Sequence, residues 1–192
     1  MWSAELYLAA WNYAAQVHGS QKIPGTELPY VVHVGAVAME VVNALAQSSR
    51  AASSRAASSR AASSRVDKPD LAVQCALLHD VIEDTPAEYA DVAARFGVAV
   101  ADGVLALTKE TTLPSKTAQM ADSLARIRQQ PQEVWMVKLA DRITNLQPPP
   151  HYWDNAKIAA YRVEAGTILD ALGEADEWLA ERLRRKIAGY PG

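Results

Sequence analysis

Apolar residues recur at the three- and four-residue spacing of helices along nearly the whole chain. Residues 3–18 put Leu6, Ala10, Tyr13 and Val17 on one stripe, which predicts an amphipathic helix. The glycines and prolines of GSQKIPGTELPY then predict a loop. A second helix is expected over residues 31–47, VVHVGAVAMEVVNALAQ, and a third runs through LAVQCALLHDVIED until Thr85-Pro86 stops it. PAEYADVAARFG and VAVADGVLALT read as two more, with Gly97 as a C-terminal cap between them. Residues 115–130 form a polar helix, and PQEVWMVKLADRITNL opens with a proline suited to a first turn. After the break at PPPHYW, two long helices fill residues 155–188. No alternating pattern competes with this period, so the expected fold is all-α, with residues 1–192 as one domain.

One segment departs from the pattern. Residues 48–65, SSRAASSRAASSRAASSR, repeat every five positions, so successive arginines spiral around a helix axis and make no stripe. Such an insert has no face to give to a core and is expected to be solvated or mobile. It changes the reading of charge, because four of the cationic residues behind the net −3 lie in it and the rest of the chain is more acidic than that figure. An acidic balance argues against nucleic acid as a partner. The single cysteine, Cys75, excludes a disulfide framework and a cysteine-rich zinc site, and its apolar setting marks it as a buried thiol. No run of roughly 20 apolar residues stands out as a bilayer span, and the N-terminus lacks a signal-peptide pattern; a cytoplasmic location is the resulting expectation.

The chemistry concentrates in LLHDVIEDT, residues 77–85. His79, Asp80, Glu83 and Asp84 follow an apolar run in which unpaired charge is costly. On a helix, His79 aligns with Glu83 and Asp80 with Asp84, while Leu77, Leu78, Val81 and Ile82 anchor the segment. A shared divalent cation resolves the cost, and a donor set of imidazole and carboxylate without thiolate suits Mn, Fe, Zn or Mg. His33 interrupts the apolar YVVHVGAVA, and Asp141 interrupts VWMVKLADRITNL with Lys138 and Asn145 on its face. Taken singly, His33 reads as a hydrogen-bonded core histidine and Asp141 as a partner of Arg142. Three buried helices each carrying a ligand type make a stronger case, and His33, His79, Asp80 and Asp141 compose a two-histidine, two-aspartate metal site.

This order of H, HD and D resembles the HD-domain metal-dependent phosphohydrolases. HDVIEDT, together with HGSQK, LPYVVH, ARFG, LTKETTLP and VKLADRITNL, is similar to the hydrolase domain of the Rel/SpoT-type stringent-response enzymes and to the free-standing small alarmone hydrolases. The likeness spans most of residues 3–165, with no synthetase domain appended. It implies an all-helical HD fold, Mn²⁺ as cofactor and a small nucleotide as the partner, with no membrane. The implied reaction releases pyrophosphate from the 3′ position of (p)ppGpp. The resemblance also implies roles: His33, His79, Asp80 and Asp141 as metal ligands, Glu83 and Asp84 positioning and activating water, and Asn145 at the nucleotide sugar.

The chain departs from the family where relatives carry an Arg-Lys pair before the Pro-Tyr. Here the loop reads Gln21-Lys22-Ile23 with one basic residue, which opens the adenine counterpart (p)ppApp as a substrate. Lys22 takes part of that work, and Lys138 and Arg142 are phosphate contacts or else surface salt bridges. Two alternatives stand beside this reading: another HD-domain phosphatase acting on nucleotides or NADPH, and a non-catalytic metal- or nucleotide-binding module.

Overall fold

The computed structural model of the protein describes residues 1–56 and 67–191. Among these the chain is helical, with no strand beyond one isolated antiparallel bridge between Lys22 and Pro29. In order come α1 (Ala4–His18), α2 (Val31–Ala56), α3 (Pro69–Leu78), α4 (Val81–Asp84), α5 (Tyr89–Phe96), α6 (Val98–Leu107), α7 (Lys116–Ile127), α8 (Gln132–Asn145), α9 (Asn155–Leu172) and α10 (Glu177–Gly189). A 3₁₀ turn at Gly173–Ala175 joins the last two.

α3 is the centre of the molecule for a reason visible in its sequence. Every residue from Leu71 to Leu78 is buried, and a helix with no polar face can only sit inside. It is packed by α1, α2, α6 and α8. Two close approaches set its surroundings. A side chain at Gly103 would place its Cβ 2.7 Å from the Cys75 sulfur, so the bare glycine brings α6 onto α3. A Cβ at Gly35 would meet the Trp11 ring at 2.7 Å, so α2 lies hard against α1. α8 buries Glu133, Lys138, Asp141 and Arg142 along with its apolar residues, and α9 and α10 cover it.

The structure adjusts several boundaries. The buried stripe of α1 is Ala10, Tyr13 and Ala14, while Leu6 is 40% exposed. α2 runs on past residue 47 to Ala56, taking in the first part of the repeat insert; residues 57–65 of that insert lie outside the described residues. Over Val31–Arg50 α2 is long and apolar enough to cross a membrane by length and composition, with mean hydropathy 1.3, a span the sequence reading passed over. One face of it packs on α3 and α8, as a core helix does. Gly97 does cap α5, at φ +88° with its N–H donating to the Ala93 carbonyl at 3.0 Å. The largest difference is in the third helix, which is not continuous. It stops at Leu78 and restarts at Val81, and Asp80 takes φ −104°, ψ 0° in the sparsely allowed bridge region.

Candidate metal centre

The break at His79-Asp80 has a local cause. Nδ1 of His79 donates to the carbonyl of Ala76 at 2.8 Å, an acceptor that a regular helix reserves for the amide of Asp80. The same bond fixes the ring so that Nε2 points away from α3. From α2, Nε2 of His33 comes within 3.3 Å of it. Asp80 Oδ2 lies 2.9 Å from His79 Nε2 and 3.7 Å from His33 Nε2. Asp141 Oδ1, from α8, lies 3.6 Å from His33 Nε2 and 3.9 Å from His79 Nε2. Four donors from three elements thus converge, with His33, His79 and Asp141 all under a tenth exposed.

The donor chemistry fits a divalent cation. Ligands bound at about 2.0–2.2 Å stand roughly 3–3.5 Å from one another; His33, His79 and Asp80 lie close enough together to share one ion, while Asp141 stands somewhat farther out, 3.6 and 3.9 Å from the two histidines. Two imidazole nitrogens 3.3 Å apart cannot face each other as lone pairs without a shared positive charge, and two buried carboxylates add the same demand. Protonation registers that demand. Burial disfavours the charged form of His79, yet Asp80 and Asp141 outweigh it and push its pKa up to about 9. Burial and the neighbouring His79 lower that of His33. Burial would raise the carboxyl pKa of Asp80, but His79 overcomes it and holds the group well below the usual range. Asp141 is likewise lowered against burial, chiefly by Lys138.

A surrounding layer fixes the two carboxylates of the cluster. Tyr30 Oη donates to Asp80 Oδ2 at 2.5 Å, and burial next to that carboxylate raises the phenol pKa far above its ordinary value, so it remains a donor. Its ring lies between those of His18 and His33, at 4.8 and 5.3 Å. Asn145 donates to Asp141 Oδ1 at 2.5 Å, and Lys138 Nζ lies 3.5 Å from Oδ2. Such partners orient ligands and tune their basicity.

Glu83 and Asp84 sit just beyond, and the break sends them apart. Both oxygens of Glu83 are taken by Lys109: Nζ at 2.6 Å and the backbone N–H at 2.9 Å. Burial works against the charged form of Lys109, but Glu83 more than offsets it and the ammonium pKa is raised. Asp84 is held loosely, by Gln21 Nε2 at 3.4 Å, and burial, Asp80 and Glu83 raise its carboxyl pKa. Gln21 is itself aimed by His18, whose Nδ1 lies 2.7 Å from its Oε1.

The residues expected from sequence therefore divide. His33, His79, Asp80 and Asp141 meet, with Lys138 and Asn145 against Asp141 and the Glu83-Asp84 pair next along the chain. Lys138 and Arg142 are not surface salt bridges, being 5% and 4% exposed. Arg142 turns from the cluster to pair with Glu164 and lie over the Tyr161 ring at 4.3 Å. Lys22 pairs with Glu27 within its own exposed loop. Tyr30 and Lys109 were missed. Tyr30 had a signal, three residues before His33 and so on the same side of a helix start; Lys109 lies in the LTKETTLP motif, but nothing in the sequence pairs it with Glu83, 26 residues away.

A family model described as an HD domain matches residues 10–175. The Xenopus tropicalis guanosine-3′,5′-bis(diphosphate) 3′-pyrophosphohydrolase MESH1 is 28% identical over 185 residues, 94% of this chain and 92% of that one. The bifunctional (p)ppGpp synthase/hydrolase SpoT of Escherichia coli K12 is 42% identical over 80 residues, 39% of this chain and 11% of that one. A solved structure of a metazoan SpoT ortholog, described as hydrolysing ppGpp and acting in starvation responses, superposes with a TM-score of 0.74 at 25% identity. That likeness covers 98% of this chain and 97% of the other. With a family match over residues 10–175, a span that includes His33, His79, Asp80 and Asp141, the chain belongs to the HD-domain family.

Proposed function

We propose that this chain is a Mn²⁺-dependent 3′-pyrophosphohydrolase of ppGpp-type nucleotides, built as one hydrolase domain. The observation that carries the reading is the pairing of a four-donor cradle with two further carboxylates, Glu83 and Asp84, four residues along from His79 and Asp80. A sensor that only bound metal and nucleotide would have no use for that pair. The near full-length likeness to a 3′-pyrophosphohydrolase supports the substrate class.

A divalent cation in the cradle supplies charge neutralisation at phosphoryl oxygens and makes water a stronger acid. The chain's own residues do the rest, which for phosphoryl transfer is chiefly placement. His33, His79, Asp80 and Asp141 hold the cation. Glu83 and Asp84 orient the attacking water and accept its proton. Their settings differ: Glu83 is fully engaged by Lys109 and fixed, whereas Asp84, within reach of Gln21 and Tyr30 and with a raised pKa, is the one suited to take and return a proton. Asn145 orients Asp141 and faces the nucleotide sugar, and Lys138 balances charge beside it. Lys22 is the one basic residue of the loop expected to meet the base, and Glu27 already engages it. That supports (p)ppApp as a second substrate.

The test is a turnover screen of ppGpp, ppApp and NADPH with Mn²⁺, reading both products. Pyrophosphate with GDP or its adenine equivalent is expected. Inorganic phosphate from NADPH alone would assign the site to phosphatase chemistry, and binding without turnover would make it a sensor. Glu83→Ala and Asp84→Ala should each lower kcat by roughly 10²–10⁴-fold, the range for losing a general base, with Mn²⁺ binding retained. Full activity in both variants would remove them from the mechanism.

A further inference from the structure

Glu83 is held by a peptide group as well as by a side chain, and that peptide is held in turn. α6 ends at Leu107, leaving its last carbonyls without partners inside the helix. Arg126, from α7, collects them: Nη1 donates to the carbonyls of Leu105 at 2.8 Å and Ala106 at 3.1 Å, and Nη2 to that of Thr108 at 2.7 Å. Its remaining Nε–H goes to Asp122 Oδ2 at 2.8 Å, which fixes the plane of the guanidinium. The carbonyl of Thr108 and the amide of Lys109 are the two ends of one peptide unit. Arg126 therefore grips one end while the other donates to Glu83 Oε2 at 2.9 Å. Hydrogen bonds joined in series through a peptide polarise one another, so the cation at one end strengthens the donor at the other. The Lys109 ammonium closes the arrangement on Oε1 at 2.6 Å.

We infer that Lys109 and Arg126 are positioning residues for Glu83, fixing both the place and the plane of its carboxylate relative to the metal cradle. This rests on the reading that Glu83 serves the attacking water. Without them α4 would have little else to hold this side chain, since the helix is only four residues long. An ordinary salt bridge tying α4 to the α6–α7 connection would produce the same contacts, and kinetics separate the two.

The experiment uses the full chain. In the Mn²⁺-loaded enzyme, Lys109→Met should lower kcat about 10- to 100-fold while KM stays within about twofold, the mark of a misplaced group that does not bind substrate. Mn²⁺ affinity should not change, and Lys109→Arg, which keeps the charge, should recover most of kcat. In the metal-free protein, Arg126→Lys and Glu83→Ala should each speed hydrogen exchange at the Lys109 amide at least about tenfold. Unchanged kcat in Lys109→Met overturns the inference, and so does a raised KM at constant kcat, which would make Lys109 a substrate contact. Unchanged amide exchange in Arg126→Lys overturns the Arg126 arm. If the wild-type protein turns over no ppGpp while both exchange results appear, the clamp stands and the functional reading fails.

Discussion

The metal cradle and the loop from Gly19 to Tyr30 meet at Tyr30 and are built in opposite ways. His79, Asp80 and Asp141 are each oriented by a hydrogen-bonding neighbour, and His33, His79 and Asp141 are under a tenth exposed. The loop is held by its own short bonds, Ile23 N–H to the Leu28 carbonyl at 2.9 Å and Thr26 N–H to Ile23 at 3.0 Å, and by its two ends. Gln21 reaches Asp84 and Tyr30 reaches Asp80, whereas Lys22, Gly25 and Glu27 between them face solvent or one another. Chemistry that must not vary is placed where burial and packing over-determine it. The loop, by contrast, is a segment that the core does not constrain.

That contrast breaks most visibly at the cradle. Asp141→Asn keeps the side-chain volume and the contact with Asn145 but removes one of two negative charges offset by His79, Lys138 and a cation. Loss of bound metal and roughly a thousandfold fall in kcat/KM are expected, measured by metal content after dialysis and by pyrophosphate release. Tight metal and near-normal turnover would mean that His33, His79 and Asp80 suffice and that the fourth ligand is dispensable.

Much of this was legible in the sequence, for physical reasons that also explain the failures. The convergence of His33, His79 and Asp141 was foreshadowed, since each interrupts an apolar run where a charged group needs a partner. The helices follow from their period, and α3 from having no polar face. The break at His79-Asp80 was not legible, because it depends on a side-chain bond to Ala76 that leaves the apolar pattern intact. Nor was the partner of Glu83: helix spacing aligns it with His79, whereas the structure engages both its oxygens with Lys109, 26 residues along the chain. The surroundings of Arg142 were not legible either. It is adjacent to a ligand in sequence, yet one step along a helix turns a side chain through about 100° and delivers it to Tyr161 and Glu164.

A smaller effect sharpens the account of the cradle. A group whose pKa rises on folding binds its proton more tightly in the folded state. His79 therefore stabilises the metal-free protein fully below its unfolded pKa of about 6.5, and that contribution is lost as pH climbs through about 9. His33, with its lowered pKa, costs stability only as pH falls through its range, so it does not mask the trend. The melting temperature of metal-free protein should fall by several degrees between pH 6.5 and 9 and stay nearly flat in His79→Gln. With Mn²⁺ the trend should weaken or reverse, because the metal requires the neutral imidazole and binds more tightly as the proton leaves. A flat metal-free profile would mean that the proton is not shared between His79 and Asp80 as the 2.9 Å contact implies.

The loop should give the least. Lys22 and Glu27 are 52% and 90% exposed at their side chains, and an ion pair so open to water contributes at most about 1 kcal/mol. In the ligand-free protein the ammonium already has a carboxylate partner, so any phosphate must compete for it and gains only the difference. Lys22→Ala is accordingly expected to change KM for ppGpp by no more than about threefold, leaving kcat alone, with a similar change for ppApp since neither contact reads a base edge. Glu27→Ala, which frees the ammonium, should lower KM by a comparable small factor. A tenfold or larger rise in KM for Lys22→Ala would show that Lys22 abandons Glu27 when substrate arrives. The loop would then be a second binding element that closes on the nucleotide, and the division between a fixed cradle and an indifferent rim would hold only in the absence of substrate.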